Sequence, residues 1–163
     1  WVKLTDGKKN VILASKNGKA IVFKEKEIRP TGRASIGVKG MDLDAKVDQQ
    51  IIAADVFSDE EFKKDILVLT ERGIGKKTKL SNFKGQHRGG KGVKITSVDK
   101  KIGSVAFSEI IEPEDTTIII TSALGQIVKM DISSIPSRSR TAKGVILMRF
   151  SEKADRIVSA TSV

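Results

Sequence analysis

Short runs of Val and Ile alternate with polar stretches along this chain, and no run of ten or more residues has helical spacing. Residues 10–15, 64–70 and 116–122 are apolar at nearly consecutive positions, a pattern typical of strands that are buried on both faces. A second strand is predicted after a glycine-containing turn, at residues 20–24 and 126–130. The pattern therefore predicts an all-β fold.

Two further strands are predicted in each unit, separated from the first pair by a glycine-rich basic loop. The third strand follows that loop and the fourth precedes an acid-containing connector. The predicted third strands are residues 35–43, 91–98 and 143–150, and the predicted fourth strands are residues 50–57, 101–107 and 156–160.

The units form a repeat that aligns without a gap. Each contains two glycines 19 residues apart, and the period is 55 and then 52 residues, near that of a propeller blade. Four strands per unit also fit a blade, whereas the constant spacing argues against a β-sandwich of about twelve strands. We predict one domain over residues 1–163 with blades at 10–62, 63–114 and 115–163, and we assign residues 1–9 to a preceding blade.

Positive charge follows the repeat. The three glycine-to-glycine segments carry fifteen basic and three acidic residues, a net +12, while the whole chain is +10. The middle segment, residues 73–92, has six basic residues, six glycines and no acid. Such segments suit a polyanion backbone, with glycines that let loop amides face outward. A solvated basic surface is the alternative interpretation.

The chemistry of the chain indicates a binding module rather than an enzyme. There is one histidine, no cysteine and no tyrosine, so nucleophiles and metal-ligand sets are scarce, and we predict no cofactor and no metal. Aromatic residues are few and no recognition helix is evident, which favours duplex DNA held by its phosphates over stacked single strands or base readout. No apolar run is long enough to span a membrane.

The second repeat departs from the others in its second strand. Lys76 and Thr78 stand where the first repeat has Ile21 and Phe23. Because lysine is common on unpaired strands, we expect this strand to be edge-like or to face the surface, where Lys76 would protect the edge or meet phosphate.

Several motifs together resemble one family. They are Ser15-Lys-Asn-Gly-Lys-Ala-Ile-Val-Phe-Lys24, Gly37-Val-Lys-Gly40, Gly73-Ile-Gly-Lys-Lys-Thr78, Gln86-His-Arg-Gly-Gly-Lys-Gly92 and Gly144-Val-Ile-Leu-Met-Arg149. This set resembles the C-terminal DNA-wrapping domain of the DNA gyrase A protein and, less closely, the matching domain of topoisomerase IV. The resemblance implies a β-pinwheel, a propeller-like ring whose basic rim wraps double-stranded DNA.

The resemblance also implies the setting of the domain. ATP hydrolysis and strand cleavage belong to other parts of the holoenzyme, so the expected partners are the remaining blades and catalytic core of the gyrase A protein, together with the ATPase B subunit. The expected location is the bacterial cytoplasm, in association with the nucleoid. The order of motifs indicates the last three blades of a partial ring, which leaves either a half-ring or a homodimer through open blade faces.

Residues 86–92 resemble the family's gyrase box, with His87 in place of an arginine. The Gly-x-Gly-Lys-Lys-Thr pattern just upstream resembles a late blade, whereas the box belongs to the first blade. We therefore interpret residues 86–92 as a box-like rim loop.

Arginines recur fifteen residues after the first glycine of each repeat and are the leading candidates for phosphate contact. The alternative is a structural role in which each arginine binds carbonyls within its own blade. Replacing Arg88 by Glu is expected to weaken DNA binding without changing thermal stability, and a large loss of stability would favour the structural role. A protein-interaction scaffold with an acidic partner is the rival function. The predicted DNA-binding residues are Arg33, Lys76, Lys77, Lys79, Lys84, His87, Arg88, Lys91, Lys94, Arg138, Arg140 and Lys143.

Overall fold

Three antiparallel sheets make up the computed structural model, which describes residues 1–44 and 50–163. Over these residues the regular elements are strands and four short 3₁₀ helices, which confirms the all-β prediction. The strands are β1 Asn10–Ser15, β2 Lys19–Lys24, β3 Ile51–Phe57, β4 Asp65–Thr70, β5 Ile74–Lys79, β6 Val93–Lys94, β7 Val105–Ile110, β8 Thr117–Ser122, β9 Ile127–Asp131, β10 Val145–Ile146 and β11 Ile157–Ser162; the 3₁₀ helices are Glu25–Glu27, Asp59–Lys63, Leu80–Asn82 and Ile132–Ser134.

Each repeat begins with a hairpin, as predicted. The hairpins are β1–β2, β4–β5 and β8–β9, and the strand that ends each repeat (β3, β7 or β11) pairs with the other side of the first hairpin strand. The predicted fourth strand at 101–107 starts too early. The main chain turns there, because the N–H groups of Ile102 and Gly103 donate to the carbonyl of Asp99, and β7 begins at Val105.

The predicted third strands at 91–98 and 143–150 form as two residues each, β6 and β10, and they do not pair within their own repeat. After the basic loop, β6 pairs with β2 of the preceding repeat, and β10 likewise pairs with β5. The sheet orders are β3-β1-β2-β6, β10-β5-β4-β7 and β11-β8-β9. Within its own repeat the first strand already has a partner on each side, so the strand that follows the basic loop pairs with the free edge of the neighbouring hairpin.

The predictions for the first repeat and the start of the chain also change. Residues 35–43 contain no strand, unlike the matching segments of the second and third repeats, which hold β6 and β10. Trp1 and Leu4, predicted to belong to a strand of a preceding blade, are exposed and non-regular.

The core lies between successive sheets because the residues that face each other across each pair of sheets are apolar. Alternate residues of one strand therefore serve different cores: Ile66 of β4 faces the first sheet, and its neighbour Leu67 faces the third. A smaller cluster of Ile21, Phe23 and Met41 covers the other face of the first sheet. Double-sided burial of β4 agrees with its unbroken apolar run. Among the described residues, no helix is long and apolar enough to cross a membrane.

Candidate nucleic-acid interface

Two basic loops lie on one side of the stacked sheets. Strands β3, β7 and β11 occupy equivalent edges and contact one another in that order, so the opposite edges, where β6 and β10 lie, face outward. Residues 83–92 and 135–144 run along this side to reach β6 and β10; we call them the outer-edge loops. The equivalent residues of the first repeat, 28–37, are exposed throughout.

Main-chain hydrogen bonds fasten the first outer-edge loop to the preceding repeat. The N–H of Gln86 donates to the carbonyl of Val22 at 2.8 Å, and that of Gly89 donates to the carbonyl of Gly40 at 2.8 Å. In the second outer-edge loop, the N–H of Arg138 makes the matching bond to the carbonyl of Lys77 of the second repeat, also at 2.8 Å. These amides therefore bind protein, and the expectation that they face outward is wrong.

Gly92 and Gly144, the second glycines of their repeats, mark the closest approach of each outer-edge loop. Both have positive φ, 67° and 93°. A Cβ on Gly92 would lie 2.6 Å from the carbonyl oxygen of Ala20, and one on Gly144 would lie 2.5 Å from that of Gly75. Side chains cannot be accommodated at these distances, so the recurring glycine serves the contact between repeats.

Arg88 and Arg140, two of the repeat-matched arginines, bind main-chain carbonyls of the preceding repeat. The Arg88 Nη1 donates to the carbonyl of Lys39 at 2.6 Å and its Nε to that of Glu27 at 3.1 Å. The Arg140 Nη1 donates to the carbonyl of Lys94, the residue equivalent to Lys39. The structural role is thus favoured, but the carbonyls lie in the neighbouring repeat and not in the same blade.

Lys76 is buried, so the expectation of an edge-like or surface-facing position is wrong. Strand β5 lies between β4 and β10, and Lys76 is 1% exposed. Its Nζ donates to the carbonyls of Ser139 and Arg140 at 2.8 and 2.6 Å. Burial, together with the nearby Arg140 guanidinium, lowers the pKa of Lys76 to about 8. This ammonium has no surface to offer a phosphate.

Other predicted basic residues are partly engaged within the protein. The Lys77 Nζ donates to the carbonyl of Ile132 at 2.8 Å, while Lys79 and Lys143 form ion pairs at 2.9 Å with Asp65 and Asp99 respectively. Each of these three bonds uses charge that a polyanion would otherwise contact.

His87 projects fully into solvent, with Nδ1 3.5 Å from a carboxylate oxygen of Glu27. The N–H of Arg88 donates to the same carboxylate at 2.8 Å. This hydrogen bond, with the charge and hydrogen bond of His87, lowers the pKa of Glu27. The box-like segment is thus anchored to the 3₁₀ helix of the first repeat.

A remaining set of predicted basic side chains is exposed. Among the described residues, none forms a hydrogen bond or ion pair with the side chains of Arg33, Lys84 or Arg138. Lys91 and Lys94 are exposed near the junction of the first two sheets. These five are the predicted residues that the fold leaves most available to a phosphate.

Lys19 and Lys39 belong to the same surface and were missed by the sequence analysis. Lys19 is directly opposite Lys94 in the β2–β6 pairing. Lys39 binds Asp42, and the positive charges of Lys39, Lys91 and Lys19 together lower the pKa of that carboxyl group. The cluster forms only because β6 crosses to the preceding repeat, and the sequence carries no local signal for that crossing.

The family model of the DNA gyrase C-terminal domain, beta-propeller, matches residues 9–58, 64–111 and 116–163. The three matched segments cover most of the chain and follow its three repeats. The chain belongs to the DNA gyrase C-terminal domain family.

Curated relatives of this gyrase-family chain are the A subunits of bacterial DNA gyrases. The protein of Staphylococcus aureus strain MRSA252 is 32% identical over 161 residues, 99% of this chain and 18% of the relative. That of Staphylococcus epidermidis strain ATCC 12228 is 32% identical over 151 residues, 93% of this chain and 16% of the relative. The chain therefore spans less than a fifth of the length of these relatives.

Solved structures of the family have the same fold. The C-terminal domain of DNA topoisomerase IV superposes with a TM-score of 0.87 at 27% identity, covering 99% of this chain and 48% of that one. A DNA gyrase A C-terminal domain superposes with a TM-score of 0.79 at 26% identity, covering 98% and 52%. The three sheets are thus similar to about half of such a domain.

The two junctions of this gyrase-family chain differ in polarity. Where the first junction pairs Lys19 with Lys94, the second pairs Ile74 with Ile146. Like charges placed opposite one another in a sheet are destabilising. The first junction is consequently the more cationic part of the outward side.

Proposed function

We propose that this chain binds double-stranded DNA along its outward side, as part of the DNA-wrapping module of a type IIA topoisomerase. The single observation that carries this proposal is the set of exposed, unpaired cations on successive outer-edge loops of a gyrase-family domain. The assignment favours the gyrase A protein, because the curated relatives bear that name. The equivalent protein of topoisomerase IV is the alternative, supported by the superposition above.

The geometry supports contact with phosphates. Lysine and arginine side chains on loops neutralise the DNA backbone and release counterions, which gives affinity without sequence preference. The outer-edge loops are held by main-chain bonds to the preceding sheet, so their cations are presented at repeated positions. A duplex that follows these positions would bend along the curved stack, and its affinity would depend on deformability more than on base identity.

The remaining parts of the assignment follow from the proposed function. The domain would act beside further blades and the catalytic core of the gyrase A protein, with the B subunit supplying ATP hydrolysis, and this chain would contribute no catalytic residue, cofactor or metal to the reaction. Its place would be the bacterial cytoplasm, at the nucleoid. The open outer faces of the first and third sheets would meet further blades or, in isolation, a second copy of the chain.

The test is duplex DNA binding across a salt series. The wild-type chain should show a linear fall of log affinity with log salt, with a slope of roughly −0.9 for each phosphate neutralised. Because Lys84 and Arg138 are exposed and unpaired, the double variant Lys84→Ala/Arg138→Ala should reduce that slope by about 1.8. Unrelated duplex sequences should bind with similar affinity.

The matched control is Lys63→Ala/Lys153→Ala, which removes two exposed cations that lie outside the outer-edge loops and should leave the slope unchanged. An equal effect of both double variants would point to net charge and not to the outer-edge loops. Absence of binding by the wild type at low salt would refute the proposed function and favour a protein-interaction scaffold.

A further inference from the structure

Lys76 is a buried cation that no phosphate contact explains. Its side chain extends from β5 of the second repeat into the interface with the first sheet, and the second outer-edge loop, which belongs to the third repeat, covers its end. The equivalent residue of the first repeat, Ile21, is apolar and lies beneath Gly90 of the first outer-edge loop. The second junction therefore has a charged group where the first has a hydrocarbon contact.

The bonds made by this ammonium converge on one short segment. The two carbonyls it binds belong to Ser139 and Arg140, consecutive residues at the centre of the loop. Arg138, on one side of them, is exposed, and the Arg140 guanidinium reaches back to the carbonyl of Lys94. One buried group thus fixes the main chain directly after Arg138, the exposed cation of this segment.

We propose that Lys76 is a positioning residue that holds residues 138–140 against the sheet, so that Arg138 and its neighbours are presented to the DNA backbone. A flexible loop would have to become ordered when it binds, at a cost in conformational entropy that the preformed loop avoids. The inference rests on the proposed function, since it assigns to Lys76 an indirect share in the affinity for DNA.

The charge of Lys76 matters for this role because a charged donor makes a stronger hydrogen bond than a neutral one. Arg140 is the charged group that acts on the ammonium. The adjoining positions on the neighbouring strand and loop are Val68 and Gly144, which do not titrate. Among the described residues, no carboxylate pairs with Lys76.

The decisive experiment is a double-mutant cycle on duplex affinity in the full chain. Lys76→Met keeps the length of the side chain but removes the ammonium, and we expect affinity to fall on the order of tenfold. In an Arg138→Ala background the same change should cost much less, because the contact through which Lys76 acts is already gone. Lys63→Met, at an exposed connector position, is the matched control and should have additive, small effects.

A second measurement does not depend on DNA. Amide hydrogen exchange of residues 137–146 should be faster in Lys76→Met than in wild type, and unchanged in Lys63→Met. Additive costs in the cycle, or unchanged exchange in the loop, would overturn the inference. Failure of the wild type to bind DNA would refute the proposed function, while the exchange data would still decide whether Lys76 positions the loop.

Lys76→Arg keeps the inference testable if the methionine variant does not fold. A guanidinium stays protonated to about pH 12, whereas Lys76, with its pKa lowered to about 8, loses its proton around that pH. Wild-type affinity should therefore weaken relative to Lys76→Arg between about pH 7 and 9.5, where exposed lysines remain charged. Superimposable profiles would contradict the role of the charged donor.

Discussion

Replacing Arg88 by Ala should destabilise the fold, whereas the sequence analysis expected unchanged stability when Arg88 is replaced by Glu. The substitution removes two charge-assisted hydrogen bonds, to the carbonyls of Lys39 at 2.6 Å and Glu27 at 3.1 Å. Bonds of this kind contribute about 1.5–3 kcal/mol each when buried. Because Arg88 is half-exposed and water can replace part of the loss, we expect a decrease of about 2 kcal/mol in the free energy of unfolding.

The assay is urea denaturation with calorimetry as a second probe. For a chain of this size, a loss of about 2 kcal/mol corresponds to a decrease of roughly 4–8 °C in Tm. Lys84→Ala, an exposed change in the same loop, is the control and should stay within about 0.5 kcal/mol of wild type, although it weakens DNA binding. If Arg88→Ala were as stable as this control, the contact between repeats would contribute nothing and the guanidinium would act on DNA alone.

Two further predictions concern stability. Gly144→Ala should lower the free energy of unfolding by at least about 2 kcal/mol, since its φ of 93° and a Cβ 2.5 Å from the Gly75 carbonyl oxygen both oppose a side chain. Gly125→Ala, with φ of 84° but open space around the Cβ, should cost only about 1 kcal/mol. If thermal melts showed equal losses for the two variants, the close approach of Gly144 to Gly75 would contribute nothing to stability. Glu61 accepts from Lys64 Nζ and from the Ser58 N–H, both at 2.5 Å, and these bonds lower its pKa to about 2. Its stabilisation is complete above about pH 4.5 and is lost as pH falls toward 2. Glu61→Gln should remove about 1–2 kcal/mol of that acid-sensitive stability, after allowance for solvent screening. If the difference in free energy of unfolding between wild type and Glu61→Gln did not shrink as the pH fell from 5 to 2, the stabilising role of the Glu61 carboxylate would be contradicted.

The repeat and its hairpins could be predicted from the sequence because they depend on local signals. Consecutive Val and Ile residues, followed by a turn with Gly18, Gly73 or Gly125, specify a first strand and the reversal after it. The observed β1 has the predicted bounds, and β4 and β8 differ from the prediction by one residue. The excess of basic residues in the loops is likewise a property of composition, visible without any fold.

The tertiary structure alone decided which elements meet. Pairing of β6 with β2 joins Lys94 to Lys19, and it depends on which strand edges remain unpaired once each hairpin has bound its own closing strand. The same crossing turns Arg88 and Arg140 into contacts between repeats and makes Gly92 and Gly144 points of close approach. A repeat-matched arginine or glycine is expected for phosphate binding and for blade contacts alike, so the pattern could not separate the two.

Lys76 shows the limit most clearly. Lysine in a strand is usually found at an edge or on the surface, because an unpaired ammonium is costly to bury. Here two carbonyls, 63 and 64 residues further along the chain, accept its hydrogen bonds and offset that cost. The sequence by itself determined the local strands, the turns and the charge of the loops, whereas burial and partners depend on contacts between distant residues and were decided only when the repeats packed together.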